Sequence, residues 1–219
     1  MSYTSIRSIP FSLWLQGSRP KTWAASLAPV LIGSLFALSS SFSFLLFIST
    51  ALFALSIQIL TNFCNDYFDF LQGADTKERK GPLRLMQTGL ISVEQMRTMI
   101  ALILLGCFFF YIPLFFQGGL LTIPLFFISL LLSFGYTANP LALAYRGLGE
   151  VFVWIFFGPV ATGMTYFLQT ASFPPFIIGE SLAPGFLSSA ILLINNLRDI
   201  EEDSKTGKKT FCVRDRKSV

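Results

Sequence analysis

An all-α fold, a multi-pass transmembrane helical bundle, follows from three observations on this chain of 219 residues. It is 53% hydrophobic and only 13% charged, whereas soluble domains carry roughly a quarter charged residues. Two runs, Thr22 to Asn65 and about Met99 to Tyr145, contain no Asp, Glu, Lys or Arg. At about 20 residues per crossing, each run is long enough for two. All 16 Lys and Arg fall on alternate connections, the asymmetry that arises when basic loops stay in the cytoplasm.

Taken in order, Arg7, Arg19 and Lys21 precede the first span, 22–39. Ser39-Ser40-Ser41 turns the chain into the second, 43–65, and the charged segment 66–97 forms a cytoplasmic loop. Spans three and four, 98–116 and 119–137, meet at Gln117-Gly118-Gly119. Arg146 and Glu150 precede span five, 151–168, which Phe173-Pro174-Pro175 ends. Span six covers 176–197 and contains Glu180; the segment 198–219 returns to the cytoplasm. The pattern predicts one membrane domain over 1–219, six crossings and both termini inside. A cleavable signal is not expected, because the hydrophobic run after Arg19-Pro20-Lys21 is long and lacks a small-residue cleavage site.

Histidine is absent, which excludes His metal sites, Ser-His triads and His general bases. Cys64, Cys107 and Cys212 show no metal-binding spacing; the first two, in apolar runs, are expected as small buried residues. The functional signal lies at the feet of spans two and six. Asn62, Asp66 and Asp69 share one helical face there, and Asn195, Asp199 and Asp203 share another. A single Asp at a helix end is ordinary interfacial solvation. Two acidic sets at one depth, each with asparagines a turn earlier, mark function, and such oxygen sites suit divalent cations carrying a phosphate. A cation-coupled transporter is the rival class, but its acids belong near the bilayer midplane.

Asn65-Asp66-x-x-Asp69 with Asn195-x-x-x-Asp199-x-x-x-Asp203 resembles the intramembrane aromatic prenyltransferases of the UbiA superfamily. Longer strings, Gly81-Pro82-x-Arg84, Ala144-Tyr-Arg-Gly-Leu-Gly-Glu150, Phe157-Gly-Pro-Val160 and Asn195-Asn-x-Arg-Asp-Ile-Glu201, are similar to its branch acting on 1,4-dihydroxy-2-naphthoate in menaquinone synthesis. The resemblance runs from about Arg19 to Val213. It implies an integral protein of the bacterial inner membrane, with a polyprenyl diphosphate donor and an aromatic acid acceptor. The product would be demethylmenaquinone, formed with loss of carbon dioxide; another aromatic acceptor is the alternative.

By the same resemblance, Asp66, Asp69, Asp199 and Asp203 are the catalytic and Mg2+-ligating residues. Asn62, Asn65, Arg84, Tyr145, Arg146, Asn195, Arg198 and Lys21 bind substrate. Lys77, Arg79 and Lys80 either join them or anchor the loop. Gly73 stands where many members carry a third aspartate, which leaves Asp75 the weaker ligand. No nucleic-acid partner is expected; the lipid bilayer is. Members of the superfamily run to nine spans, of which six are expected here. After Val213-Arg214 the text Asp215-Arg216-Lys217-Ser218-Val219 departs from the family pattern, so a truncated and inactive chain is expected, with a shortened but working family member as the alternative.

Overall fold

A bilayer offers the backbone no water, so an apolar chain satisfies its N–H and C=O groups within helices. The computed structural model describes residues 9–73 and 84–216, which form helices and turns and contain no strand. Helix α1 (Phe11–Gly17) leads through a tight turn at Pro20–Thr22 into α2 (Trp23–Ala37). Helix α3 (Phe44–Leu71) starts at Ser43, whose backbone N–H donates to Gln169 Oε1 at 2.7 Å. Helix α4 (Val93–Gly118) opens on a capping box: Gln95 N donates to Ser92 Oγ and Ser92 N to Gln95 Oε1.

Gly119, at φ 60°, turns the chain back into α5 (Thr122–Gly135). Tyr111 and Phe126, each about two turns from that bend, stack with centroids 4.3 Å apart, so α4 and α5 form a hairpin. Helix α6 (Gly149–Ile155) runs through one π turn at Phe156–Val160 into α7 (Ala161–Thr170), and α8 (Phe176–Arg198) follows. Their close crossing depends on Gly185, where a Cβ would lie 2.6 Å from the Trp154 carbonyl. Two short helices, α9 (Ile200–Lys205) and α10 (Phe211–Arg216), complete the described chain.

Four helical stretches among the described residues are long and apolar enough to cross a membrane: Phe44–Leu71, Val93–Gly135, Gly149–Thr170 and Phe176–Arg198. The second is 43 residues long and doubles back at Gly119; α2, at 15 residues, is shorter than a full crossing. Leu60, Phe63 and Cys64 of α3 pack on Met96, Ile100 and Cys107 of α4, with Leu85 and Met86 covering one end.

Two differences from the sequence reading bear on the site. Helix α3 continues six residues beyond 65 to Leu71, so Asp66 and Asp69 stand on regular helix. The second motif is not on a single continuous helix. The chain breaks at Asp199 (φ −93°, ψ 8°), where the Arg198 guanidinium grips the Asp199 carboxylate with contacts of 2.7 and 2.8 Å. Asp199 N still donates to Asn195 O and Asp203 N to Asp199 O, which preserves the four-residue step across the break.

Candidate active site

Position 69 of α3 faces inward, and its carboxylate gathers donors from three distant segments. Asp69, 1% exposed, accepts from the Tyr145 hydroxyl at 2.8 Å on Oδ1. Its Oδ2 meets Lys208 Nζ at 2.8 Å and Arg84 Nη2 at 2.5 Å. Arg84, itself buried, also donates to the Asn65 carbonyl at 2.8 Å. One residue on, Leu85 N donates to Asp66 Oδ2 at 2.7 Å. Two adjacent residues of one turn thereby engage both aspartates of the first motif.

Lys208 joins the two motifs. Its Nζ holds Asp69, its backbone N–H donates to the Asp203 carbonyl at 2.9 Å, and its ammonium sits 5.0 Å over the Tyr145 ring. Burial pushes the Asp203 carboxyl up to about 6; Lys208 opposes that rise, and the neighbouring Asp199, Glu202 and Asp69 add to it.

Beside this cluster lies a cavity of about 320 Å³. Along α3 its wall runs from Asn65 to Thr50, a depth of roughly 22 Å at 1.5 Å per residue. Arg19, Asn62, Asn65 and Asn195 line the end near the motifs, and the remaining wall is largely aliphatic and aromatic. Asn62 Nδ2 donates to Ser18 O and Thr22 Oγ1, tying the turn before α2 to α3. Thr137 donates its hydroxyl proton to Asn65 Oδ1.

The expected site residues therefore divide. Asn62, Asn65 and Asn195 line the cavity, and Asp69, Arg84 and Tyr145 meet in the adjoining cluster. Asp66 stands one turn before Asp69, and Asp199 and Asp203 are reached through Lys208 and the α8–α9 break. Three residues belong neither to the cavity wall nor to the cluster around Asp69. Arg198 is taken by Asp199, exposed Arg146 donates to the Pro140 carbonyl at 2.6 Å, and Lys21 is exposed. Asp75, Lys77, Arg79, Lys80, Gly81 and Pro82 lie outside the described residues.

Two residues were missed. Arg19, in the left-handed region at φ 53°, lines the cavity in place of Lys21; two bases flank Pro20, and only the earlier one faces inward. Lys208 reaches Asp69 across 139 positions of sequence, with no local pattern beyond its place after Gly207.

Carboxylate and amide oxygens without histidine are the hard donors that suit Mg2+. Among the described residues no three His, Cys, Asp or Glu side chains converge to hold an ion by themselves. Mg2+ ordinarily takes one or two carboxylates and completes its shell with water and phosphate oxygens. Buried Asp66 and Asp69, one turn apart, fit that pattern, and the Lys208 ammonium already stands at Asp69 as a cation.

Residues 26–219 match the UbiA prenyltransferase family. A 1,4-dihydroxy-2-naphthoate octaprenyltransferase of Haemophilus influenzae is 37% identical over 211 residues, covering 92% of this chain and 68% of that protein. The Escherichia coli protein of the same name is 33% identical over 216 residues, with the same two shares. The chain thus spans about two-thirds of the length of these relatives. A UbiA homologue from Archaeoglobus fulgidus, solved bound to DMAPP and Mg2+, matches with a TM-score of 0.64 at 18% identity. That match covers 94% of this chain and 70% of the other, and it extends the likeness to the fold. Sequence from residue 26 onward and helix arrangement agree: this integral membrane chain belongs to the UbiA prenyltransferase family.

Proposed function

We propose that this chain transfers a polyprenyl group from a polyprenyl diphosphate to 1,4-dihydroxy-2-naphthoate, with loss of carbon dioxide, giving demethylmenaquinone. The setting is a bacterial plasma membrane, with the aspartate cluster and the N-terminus on the cytoplasmic side. The observation that carries the reading is the joining of a deep apolar cavity to a buried, doubly cationic cluster. A greasy tail fits the first and a diphosphate head the second. The names of the relatives support the aromatic acid as acceptor.

Arg19 and the three asparagines at the cavity's polar end present donors to an anionic head group. Arg84 and Lys208, fixed by Asp69, hold positive charge beside it. As the bond between the allylic carbon and the diphosphate oxygen breaks, the charge growing on the leaving group meets donors already in place. When bound through Asp66 and Asp69, with Asp199 and Asp203 as a second pair, Mg2+ supplies further charge neutralisation to that leaving group. Aromatic wall residues, Phe156 and Phe157 among them, give the allylic cation a π surface and keep water from it. The ring carbon bearing the carboxylate forms the new carbon–carbon bond, and the ring regains aromaticity by releasing carbon dioxide.

Vesicles holding the chain, given labelled polyprenyl diphosphate, Mg2+ and a panel of aromatic acids, test the reading. Label should enter the naphthoate product with release of carbon dioxide, and EDTA should stop it. Transfer to none of the acids, or transfer indifferent to EDTA, would refute it.

A further inference from the structure

Beyond the three asparagines, the cavity wall carries one more amide. Gln58 of α3 lines it one turn before Asn62, about 6 Å along the helix axis. Thr22 fixes how that amide stands. The Thr22 hydroxyl gives its proton to the Arg19 carbonyl at 2.9 Å, so its oxygen only accepts, from Gln58 Nε2 at 3.3 Å and Asn62 Nδ2 at 3.2 Å. Turning the Gln58 amide over would set two oxygens against each other. Its Oε1 is thereby directed away from Thr22, and among the described residues no donor meets it. Other hydroxyls of the wall do not supply one: Ser26, Ser129 and Ser133 each donate to a backbone carbonyl of their own helix. An amide oxygen without a donor, in a wall that is largely aliphatic and aromatic, is a place for a ligand's proton.

We propose that Gln58 recognises the aromatic acceptor, its Oε1 taking the proton of a ring hydroxyl. This rests on the reading of the chain as a naphthoate prenyltransferase and adds the residue that selects the acceptor. Depth supports it. On that reading the head group sits at the polar end of the cavity, and the allylic carbon is bonded directly to its oxygen. The acceptor carbon has to come within roughly 3–3.5 Å of the allylic carbon to react. Its ring therefore lies within about one helical turn of the asparagines, which is the level of Gln58. Chemistry picks the hydroxyl. In 1,4-dihydroxy-2-naphthoate the 1-hydroxyl stands ortho to the carboxylate and donates to it within the molecule. The 4-hydroxyl has no such partner and gives its proton to Gln58 Oε1. A site built to bond a hydroxyl turns away the analogue that lacks it, because the amide oxygen is then covered and left unpaired.

The test crosses the residue with the hydroxyl. Two acids are titrated onto the protein in nanodiscs: 1,4-dihydroxy-2-naphthoate, kept reduced, and 1-hydroxy-2-naphthoate, which lacks only the 4-hydroxyl. Mg2+ and a prenyl thiodiphosphate, whose carbon–sulfur bond resists ionisation, occupy the donor site. The wild type should bind the dihydroxy acid at least about fivefold more tightly than the monohydroxy acid. Gln58→Leu and Gln58→Met, which keep apolar bulk and carry no amide, should bind the two acids equally. Their affinity for the thiodiphosphate should stay within about twofold of wild type, whereas general loosening of the helices would weaken donor and acceptor alike. A wild type without the preference, or a preference that survives in either variant, overturns the proposal. A separate transfer assay keeps the two readings apart. Transfer to the dihydroxy acid with no preference in binding refutes the role of Gln58 alone. A preference that the variants lose, without any transfer, upholds the acceptor contact and refutes the transfer chemistry. Binding of neither acid and no transfer refutes both.

Discussion

Asp69 carries the largest electrostatic consequence of any single side chain in the site. Both it and Arg84 are at most 4% exposed, and Lys208 adds a second cation to the same carboxylate oxygen. Asp69→Asn leaves two cations facing a neutral amide in a buried setting, and breaking such a pair from one side costs about 3–5 kcal/mol. Tyr145→Phe removes one hydrogen bond to the carboxylate and costs roughly 1.5–3 kcal/mol. Thermal unfolding in detergent should therefore rank wild type above Tyr145→Phe and Tyr145→Phe above Asp69→Asn, with transfer lost in the last. An Asp69→Asn protein as stable as wild type would show that the cluster does not have this charge balance. Lys208→Met leaves Asp69 with Arg84 and Tyr145; it should lower transfer while costing less stability than Asp69→Asn. The motif spacing made Asp66 and Asp69 visible in the sequence because helical geometry alone places them on one face. It could not reveal Lys208, whose contact depends on how α3 and the segment after α9 meet. Nor could it reveal the local partners of Arg146 and Arg198. Each found an acceptor within a few residues, Pro140 O and Asp199, and such local partners need no long-range ordering.

At the level of elements, Lys208 is held in place by a docking of the 143–147 turn against the segment after α9. Lys209 N donates to the Tyr145 carbonyl at 3.1 Å. Gly147, at φ 65°, lies so close that a Cβ there would stand 2.7 Å from the Lys209 carbonyl oxygen. Gly207 has a similar backbone, φ 78°, but nothing within 4 Å of a Cβ. Gly207→Ala therefore costs only the left-handed strain, about 1–2 kcal/mol. Gly147→Ala costs the same strain and must also push the Lys209 carbonyl away, which carries Lys208 off Asp69. Melting temperatures should fall in both and further in Gly147→Ala, and transfer should fall much more in Gly147→Ala. Equal transfer rates in the two variants would remove the docked segment from any role in the site. The helices were legible in the sequence because a bilayer leaves an apolar run no other regular structure. Their ends were not. Charge marks where a helix leaves the lipid rather than where it stops, so α3 runs on to Leu71 and the charged tail holds α9 and α10. In α10 the pattern Phe211-Cys212-Val213 turns Cys212 and Val213 inward, a period too short to read without its partner.

Across the whole molecule, the two ends of the bundle differ in kind. At one end lie the bend at Gly119, the Ser43–Gln169 pair and the segment from Ala171 to Pro175, joined by contacts such as Gly118 against Leu168. None of these connections carries a Lys or Arg. At the other end lie the turn around Arg19, the foot of α3, Arg84, Arg97, Tyr145, Arg146 and the segment from Arg198 to Arg214. Acids at that end, beside bases suited to a diphosphate, separate an enzyme of this family from a transporter with acids at midplane. Basic connections resist transfer across the membrane, and on that ground the proposed orientation puts the basic end in the cytoplasm. If α2, α3, α4, α5, the α6–α7 pair and α8 each cross once, the first end is exposed outside. Single cysteines at Ser40, Leu120 and Ser172, all exposed, then report one side, and those at Leu90 and Ser204, exposed as well, report the other. The background should lack Cys64, Cys107 and Cys212, which are buried free thiols whose replacement by Ala or Ser leaves the surface unchanged. In intact spheroplasts an impermeant maleimide should label 40, 120 and 172, and it should reach 90 and 204 only after lysis. The reverse pattern would invert the orientation while keeping the crossings. Labelling of all five positions in intact cells would break the six-crossing arrangement itself, because a Gly119 bend and an Arg84 turn on the same side cannot be joined by a single pass of α4.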